Sequence, residues 1–228
     1  MCGRYTLTQA GAMPDLFEIS ELRITPRFNI APSQEVPVVR LDSDGGREAV
    51  LLRWGLIPYW MKEKPKGSPM INARAEGLDE KPSFRAAYRY RRCLVPADGF
   101  FEWKKLPGER RKQPYYFRLR EHALFAFAGL WERFQDGETT IESFTIVTCE
   151  ANELVRTVHD RMPVILPRAS YEPWLAETTG TEARRGLLAP FESESMDCYP
   201  VSPLVNSPAA DDERCIAPWS ADTAADNA

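Results

Sequence analysis

Cys2 directly follows the initiator methionine in MCGRYTL. Initiator methionine is generally removed when the next side chain is small, and cysteine is small. The mature chain then begins with an α-amino group and a thiol on adjacent carbons, a 1,2-aminothiol, which is a far less common reagent than a thiol alone. A cysteine near a terminus can equally be a small residue closing the end of a strand, and position alone does not separate the two readings.

Four further segments set polar side chains inside apolar or loop-closing stretches. In PMINARAEG, Asn72 and Arg74 alternate and share a face if the segment is extended. In ADGFFEWKK, Glu102 sits between Phe101 and Trp103. A carboxyl among aromatic rings has a raised pKa and can serve as acid or base; a solvent-facing Glu on an edge strand gives the same pattern. His159, in RTVHDRMPVIL, follows a helix-like turn, and its ordinary pKa suits a structural or a catalytic role. Asn29 and Pro32, in RFNIAPS, read as turn chemistry. Together they offer a nucleophile, a carboxyl, an imidazole, a carboxamide and a guanidinium. Such a set suits covalent chemistry beside an anion.

Composition narrows the classes. The 228 residues are 43% hydrophobic and 27% charged, an ordinary balance for one large domain or two small ones. No apolar run approaches the roughly 20 residues of a membrane span, and the start lacks the basic and apolar regions of a signal peptide, so a cytoplasmic protein with no membrane partner is expected. Five widely spaced cysteines without a CxxC, and only two histidines, argue against a disulfide framework and against a bound metal or other cofactor. Cys93 and Cys149 lie in apolar runs and read as core residues. The net charge of −4 argues mildly against nucleic-acid binding, but RAAYRYRRC carries four arginines and KKLPGERRK three lysines and two arginines. These are either a basic face or two solvated loops.

The elements that must carry these residues are short and mostly extended. RYTLT, VPVVRL, EAVLLRW, LVPA, GFFEW, PYYFRLR, LFAFAGLWERF, ESFTIVTCE, MPVIL and CYPVSPLV read as strands, with SDGG a hairpin turn. QAGAMPDLFEI, PSFRAAYRYRR, ANELVRTV, SYEPWLAE and TEARRGLLAP read as helices, the last with Thr181 as N-cap. RFNIAPSQ reads as a loop, and GLIPYWMKEKPKGSP as a long Pro/Gly-rich loop carrying Trp60. The pattern predicts a single α+β domain: a curved, mostly antiparallel sheet or open barrel with flanking helices. It spans residues 1–206. Residues 207–228 read as a polar, acidic tail that frays.

The ordered series MCGRY, FNIAP, RWGLIPYW, NARAE, CLVPADGFFEW, HDRMPVIL and VSPLVN resembles the SRAP (SOS-response-associated peptidase) family from Cys2 to about Asn206. The resemblance implies a protein that bonds covalently to abasic sites in single-stranded DNA. It also implies a peptidase activity that removes its own Met1, and Schiff-base chemistry of a lyase kind. By motif match Cys2 is the cross-linking residue, with Asn72, Glu102 and His159 as catalytic helpers. Arg4, Arg74 and Arg161 would grip phosphates, and Trp60 and Trp103 would stack on bases unless they are core aromatics. The α-amino group, with a pKa near 7.7–8.0, would attack the open aldehyde, and the thiol would close a five-membered thiazolidine with high effective molarity. A monomer is expected, associated with the nucleoid when bound to DNA.

Two rivals share features. Glutamine amidotransferases also begin Met-Cys-Gly, so an N-terminal-nucleophile amidohydrolase or a cysteine peptidase acting in trans is the alternative. A module that recognises damaged DNA without bonding to it is the other.

Overall fold

The computed structural model describes residues 2–20, 23–63, 65 and 67–219. Its strands are β1 (Tyr5–Leu7), β2 (Arg27–Ile30), β3 (Glu35–Leu41), β4 (Arg47–Trp54), β5 (Asn72–Arg74), β6 (Arg92–Ala97) and β7 (Gly99–Lys104), followed by β8 (Gln113–Leu119), β9 (Phe125–Asp136), β10 (Thr139–Glu150), β11 (Arg161–Pro163), β12 (Ile165–Leu166) and β13 (Met196–Pro200). The helices are short: α1 (Met13–Phe17), α2 (Arg85–Tyr90), α3 (Glu153–Arg156), α4 (Tyr171–Leu175) and α5 (Thr181–Gly186).

Five strands close a ring. β4 pairs β3, β3 pairs β6, β6 pairs β9 and β9 pairs β10, all antiparallel; β10 returns to β4 in parallel. Closure satisfies the strand edges that an open sheet would expose. The β3–β4 hairpin has the anticipated turn: the Asp42 carboxylate accepts the Asp44 and Gly46 amides at 2.8 Å, and Gly45 takes φ +84°. Beyond the ring, β10 continues to pair β5 and β11, and β9 pairs β12.

A second sheet, in the order β13-β8-β7-β1-β2, is antiparallel throughout. Aromatic side chains lock it to the barrel. Tyr5 meets Trp54 edge-on at 5.2 Å, and Phe100 meets Phe127 edge-on at 6.1 Å while stacking on Phe117 at 5.1 Å. All five are fully buried. Gly99 leaves room for the buried Tyr116 ring of β8, because a Cβ there would fall 2.2 Å from the Tyr116 hydroxyl. The α+β reading, with a curved and mainly antiparallel sheet, holds.

Three local expectations are corrected. RFNI is a strand, not a loop, because it completes the β1 edge and is tied to the late chain. Thr181 is not the N-cap of α5. Gly180 occupies that position, and no side chain caps the helix. The chain does not fray at Ser207. The Asp211 carboxylate accepts the Phe28 and Asn29 amides at 2.6 and 2.8 Å and pairs with Arg27. The Asn29 carboxamide donates to the carbonyls of Val205, Ser207 and Ala210. Polar composition suggested solvation, whereas these polar groups satisfy one another across 182 residues of sequence. Residues 220–228 of the expected tail lie outside the described residues.

Candidate active site

The β1–β7 pairing brings the start of the chain beside Glu102. Tyr5 lies opposite Phe100, and the Phe101 amide donates to the Arg4 carbonyl at 3.0 Å, so the residues before Tyr5 run along the second half of β7. Cys2 is fully buried there. Its thiol lies 3.6 Å from the Arg4 carbonyl, and its own carbonyl accepts the Asn72 carboxamide N–H at 2.8 Å. Burial, reinforced by the negative charge of Glu102, pushes the Cys2 thiol well above the usual cysteine range. The sulfur is therefore protonated and needs a base before it can act.

Strand alternation explains Glu102. Phe101 and Trp103 join a satellite cluster on one side of β7, while Phe100 and Glu102 point to the other. Glu102 is 2% exposed, and burial pushes its carboxyl up to about 7. A group poised there can give or take a proton near neutral pH.

The mouth is built by β5, β10 and β11. Asn72 stands opposite Ile146 and Arg74 opposite Thr148; Arg161 stands opposite Glu150. Three sequence-distant segments thus come side by side. His159 ends the turn after α3, a helix capped by the Asn152 side chain, and its amide donates to the Val155 carbonyl at 2.9 Å. The imidazole Nδ1 accepts the Arg161 amide at 3.0 Å, which leaves the ring hydrogen on Nε2 in the neutral form. Burial lowers the His159 pKa and favours that form. The Asp160 carboxylate, 3.0 Å from Nδ1, is attractive only once the ring is protonated. A shallow cleft of about 420 Å³ lies here, lined by Arg74, Glu150, Arg156, Asp160 and Arg161.

The basic residues differ in availability. Arg74 is exposed. Arg161 is engaged: its two terminal nitrogens fork onto Glu76 at 2.9 and 2.8 Å, and one also donates to the Thr148 carbonyl. That fork in turn lowers the Glu76 carboxyl. Arg4 donates to the carbonyls of Gly3 and Asn206, and the Trp103 indole donates to the Asn206 side chain at 2.7 Å. Trp60 stands apart from this set. It is half exposed, and its indole N–H donates to the Pro82 carbonyl just before α2.

Two residues escaped notice as participants although both lie within segments quoted for their motifs. Glu76 closes NARAE and holds Arg161; Asn206 closes VSPLVN and holds Arg4 and Trp103. The described residues gather no group of three His, Cys, Asp or Glu side chains that could hold a metal, and none of their helices is long and apolar enough to cross a membrane.

The chain is 42% identical over 215 residues to abasic site processing protein YoaM of Bacillus subtilis, covering 91% of this chain and 94% of that one. It is 32% identical over 235 residues to abasic site processing protein HMCES of Gallus gallus, covering 88% and 68%. A crystal structure of a Bacteroides thetaiotaomicron protein superposes with TM-score 0.86 at 27% identity, over 96% of this chain and 100% of that one. Residues 1–208 match the family described as SOS response associated peptidase (SRAP), and the chain belongs to that family.

Proposed function

We propose that this chain senses abasic sites in single-stranded DNA and captures them covalently through Cys2 after loss of Met1. The observation that carries the reading is a buried Cys2 whose carbonyl is fixed by Asn72, beside a Glu102 carboxyl poised near 7. The names of the relatives support the abasic site as substrate.

The neutral α-amino group adds to the C1′ aldehyde of the ring-opened sugar. Glu102, protonated, donates to the departing hydroxyl, and water leaves as the imine forms. The Glu102 carboxylate then takes the proton of the Cys2 thiol, whose sulfur adds to the same carbon and closes the thiazolidine. The sum is aldehyde plus aminothiol giving thiazolidine plus one water. Without a base this closure would stall, because burial and Glu102 hold the thiol protonated. His159, at the mouth, assists opening of the sugar ring. The imine also opens a route to β-elimination and strand cleavage, and sulfur addition diverts it. Removal of Met1 is assigned to the same groups. Arg74 meets the flanking phosphate; Arg161 can do so only by leaving Glu76. A fully buried reagent favours a lesion in unpaired DNA, where no stacking must be broken.

The test is the intact mass of the protein before and after incubation with an oligonucleotide carrying one abasic site. The expected result is loss of Met1 and a denaturant-resistant species heavier by the oligonucleotide less one water, absent in Cys2→Ala. An undiminished adduct in Cys2→Ala would sink the mechanism.

A further inference from the structure

The arginine-rich RAAYRYRRC stretch forms α2 and the start of β6, and it carries two different kinds of arginine. Arg92 is 3% exposed and donates to the carbonyls of Tyr88, Arg89, Trp174, Leu175 and Ala176, so it is a clamp between α2 and α4. Arg184, 5% exposed, donates to the Tyr88 and Thr179 carbonyls and lies over the Tyr88 ring at 5.5 Å. Neither forms an ion pair with a carboxylate among the described residues. Burial, with the adjacent Arg184 charge, pulls Arg92 down to about 10. Glu177 offsets part of this charge, and its carboxylate and that of Asp79, which Arg185 holds, line the surface above alongside the cations.

That surface is a groove of about 810 Å³, between α2 and the segment leading into α5, with Arg184 in its wall. Arg85 and Arg89, one turn apart on α2, line it and are exposed. Neither has a carboxylate partner among the described residues. A second groove of about 490 Å³ shares Ala86 and Tyr90 with the first. Tyr59, Trp60 and Tyr90 are each more than half exposed, which is unusual for rings of this size. Guanidinium groups interleave with them: Arg89 lies 5.1 Å from the Tyr90 ring and Arg91 5.6 Å from the Tyr59 ring. Trp60 is tied to Pro82, immediately before α2.

Exposed aromatic faces beside Arg85 and Arg89, with Arg91 held by Glu132 at 2.8 Å, supply elements of a single-strand track, where rings stack on bases and cations meet phosphates whatever the sequence. We propose that the α2 face is a second nucleic-acid contact, taking the single strand that leads away from the abasic residue. The inference rests on the reading of the Cys2 site as an abasic-site trap, and its test separates the two.

Affinity for undamaged single-stranded DNA of about 30 nucleotides, measured by fluorescence anisotropy across a salt series, reads the track without any covalent step. In Arg85→Gln/Arg89→Gln the affinity is expected to fall about tenfold at low salt. The slope of log affinity against log salt should shrink by about 1.4, for two lost phosphate contacts. Tyr90→Ala should lower affinity about fivefold and leave the slope unchanged. All three side chains are exposed, and matching thermal melts verify the fold. Cross-linking to an abasic oligonucleotide at saturating protein should proceed at the unsubstituted rate in every variant, because the Cys2 site is untouched.

Unchanged affinity and slope in the double variant would overturn the α2 track even if cross-linking is intact. Polyglutamate bound as tightly as DNA, and lost equally in the double variant, would also overturn it, because the face would then be an anion patch for acidic proteins. Failure of the unsubstituted protein to cross-link, with the expected salt slopes present, would defeat the trap and leave a nucleic-acid track.

Discussion

The Asn72 side chain, brought into line by the β5–β10 pairing, holds the Cys2 carbonyl at 2.8 Å. One hydrogen bond thus fixes Cys2 to β5, 70 residues away in sequence. Asn72→Ala would leave a buried carbonyl unpaired and release the aminothiol. A stability loss of about 1–3 kcal/mol is expected, with cross-linking slowed about tenfold or more. Asn72→Asp should be worse, since a carboxylate cannot donate to the carbonyl. Urea unfolding and single-turnover adduct formation measure the two effects.

Glu102 makes stability fall as pH rises. Its carboxyl titrates near 7 in the folded protein and at the ordinary 4.5 when unfolded. Between these values the unfolded chain has lost the proton and the folded chain keeps it, so the folded state is progressively disfavoured. The whole effect is about 3 kcal/mol, complete above pH 7. Glu102→Gln should abolish this slope, be more stable than the parent above pH 7, and cross-link slowly. His159 acts oppositely: its folded pKa lies below 6.5, so stability falls as pH drops through 6.5 and below. Unfolding curves across pH in Glu102→Gln would isolate the His159 slope.

Arg161 can meet DNA only by exchanging Glu76 for phosphate. Glu76→Gln removes that competitor and should raise affinity for single-stranded DNA about threefold, the worth of a partly exposed ion pair. Equal affinity in parent and variant would mean that Arg161 stays a structural strut between β10 and the 76-loop.

The late clasp is a stability element. Asp211→Ala removes the acceptor for two backbone amides and for Arg27, and should cost about 2–3 kcal/mol. Asn206→Ala leaves that clasp in place, keeps the backbone carbonyl that Arg4 reaches, and unties only Trp103. It should slow capture while moving the melting temperature little. A melt and an adduct assay on both variants separate the roles.

The barrel was legible because its signals are local. The 36–54 hairpin shows alternating apolar residues around a Gly-rich turn, and the paired aromatics of β7 to β10 fit only a sheet. The β2 strand was not legible, because FNI reads like a turn until the Asp211 carboxylate and the Ala210 carbonyl supply partners from far along the chain. The raised Glu102 carboxyl could be argued from Phe101 and Trp103, although the face it occupies belongs with Phe100. That Arg161 is spoken for by Glu76 could not be argued, since ion-pair geometry depends on the β5–β10–β11 register.

The Arg4 contact with Asn206 joins positions 202 residues apart, and Asn29 gathers the carbonyls that follow. The β1–β2 edge is therefore tied to residues 205–211, and it can be completed only once that distant segment has been made, so this corner of the sheet assembles late.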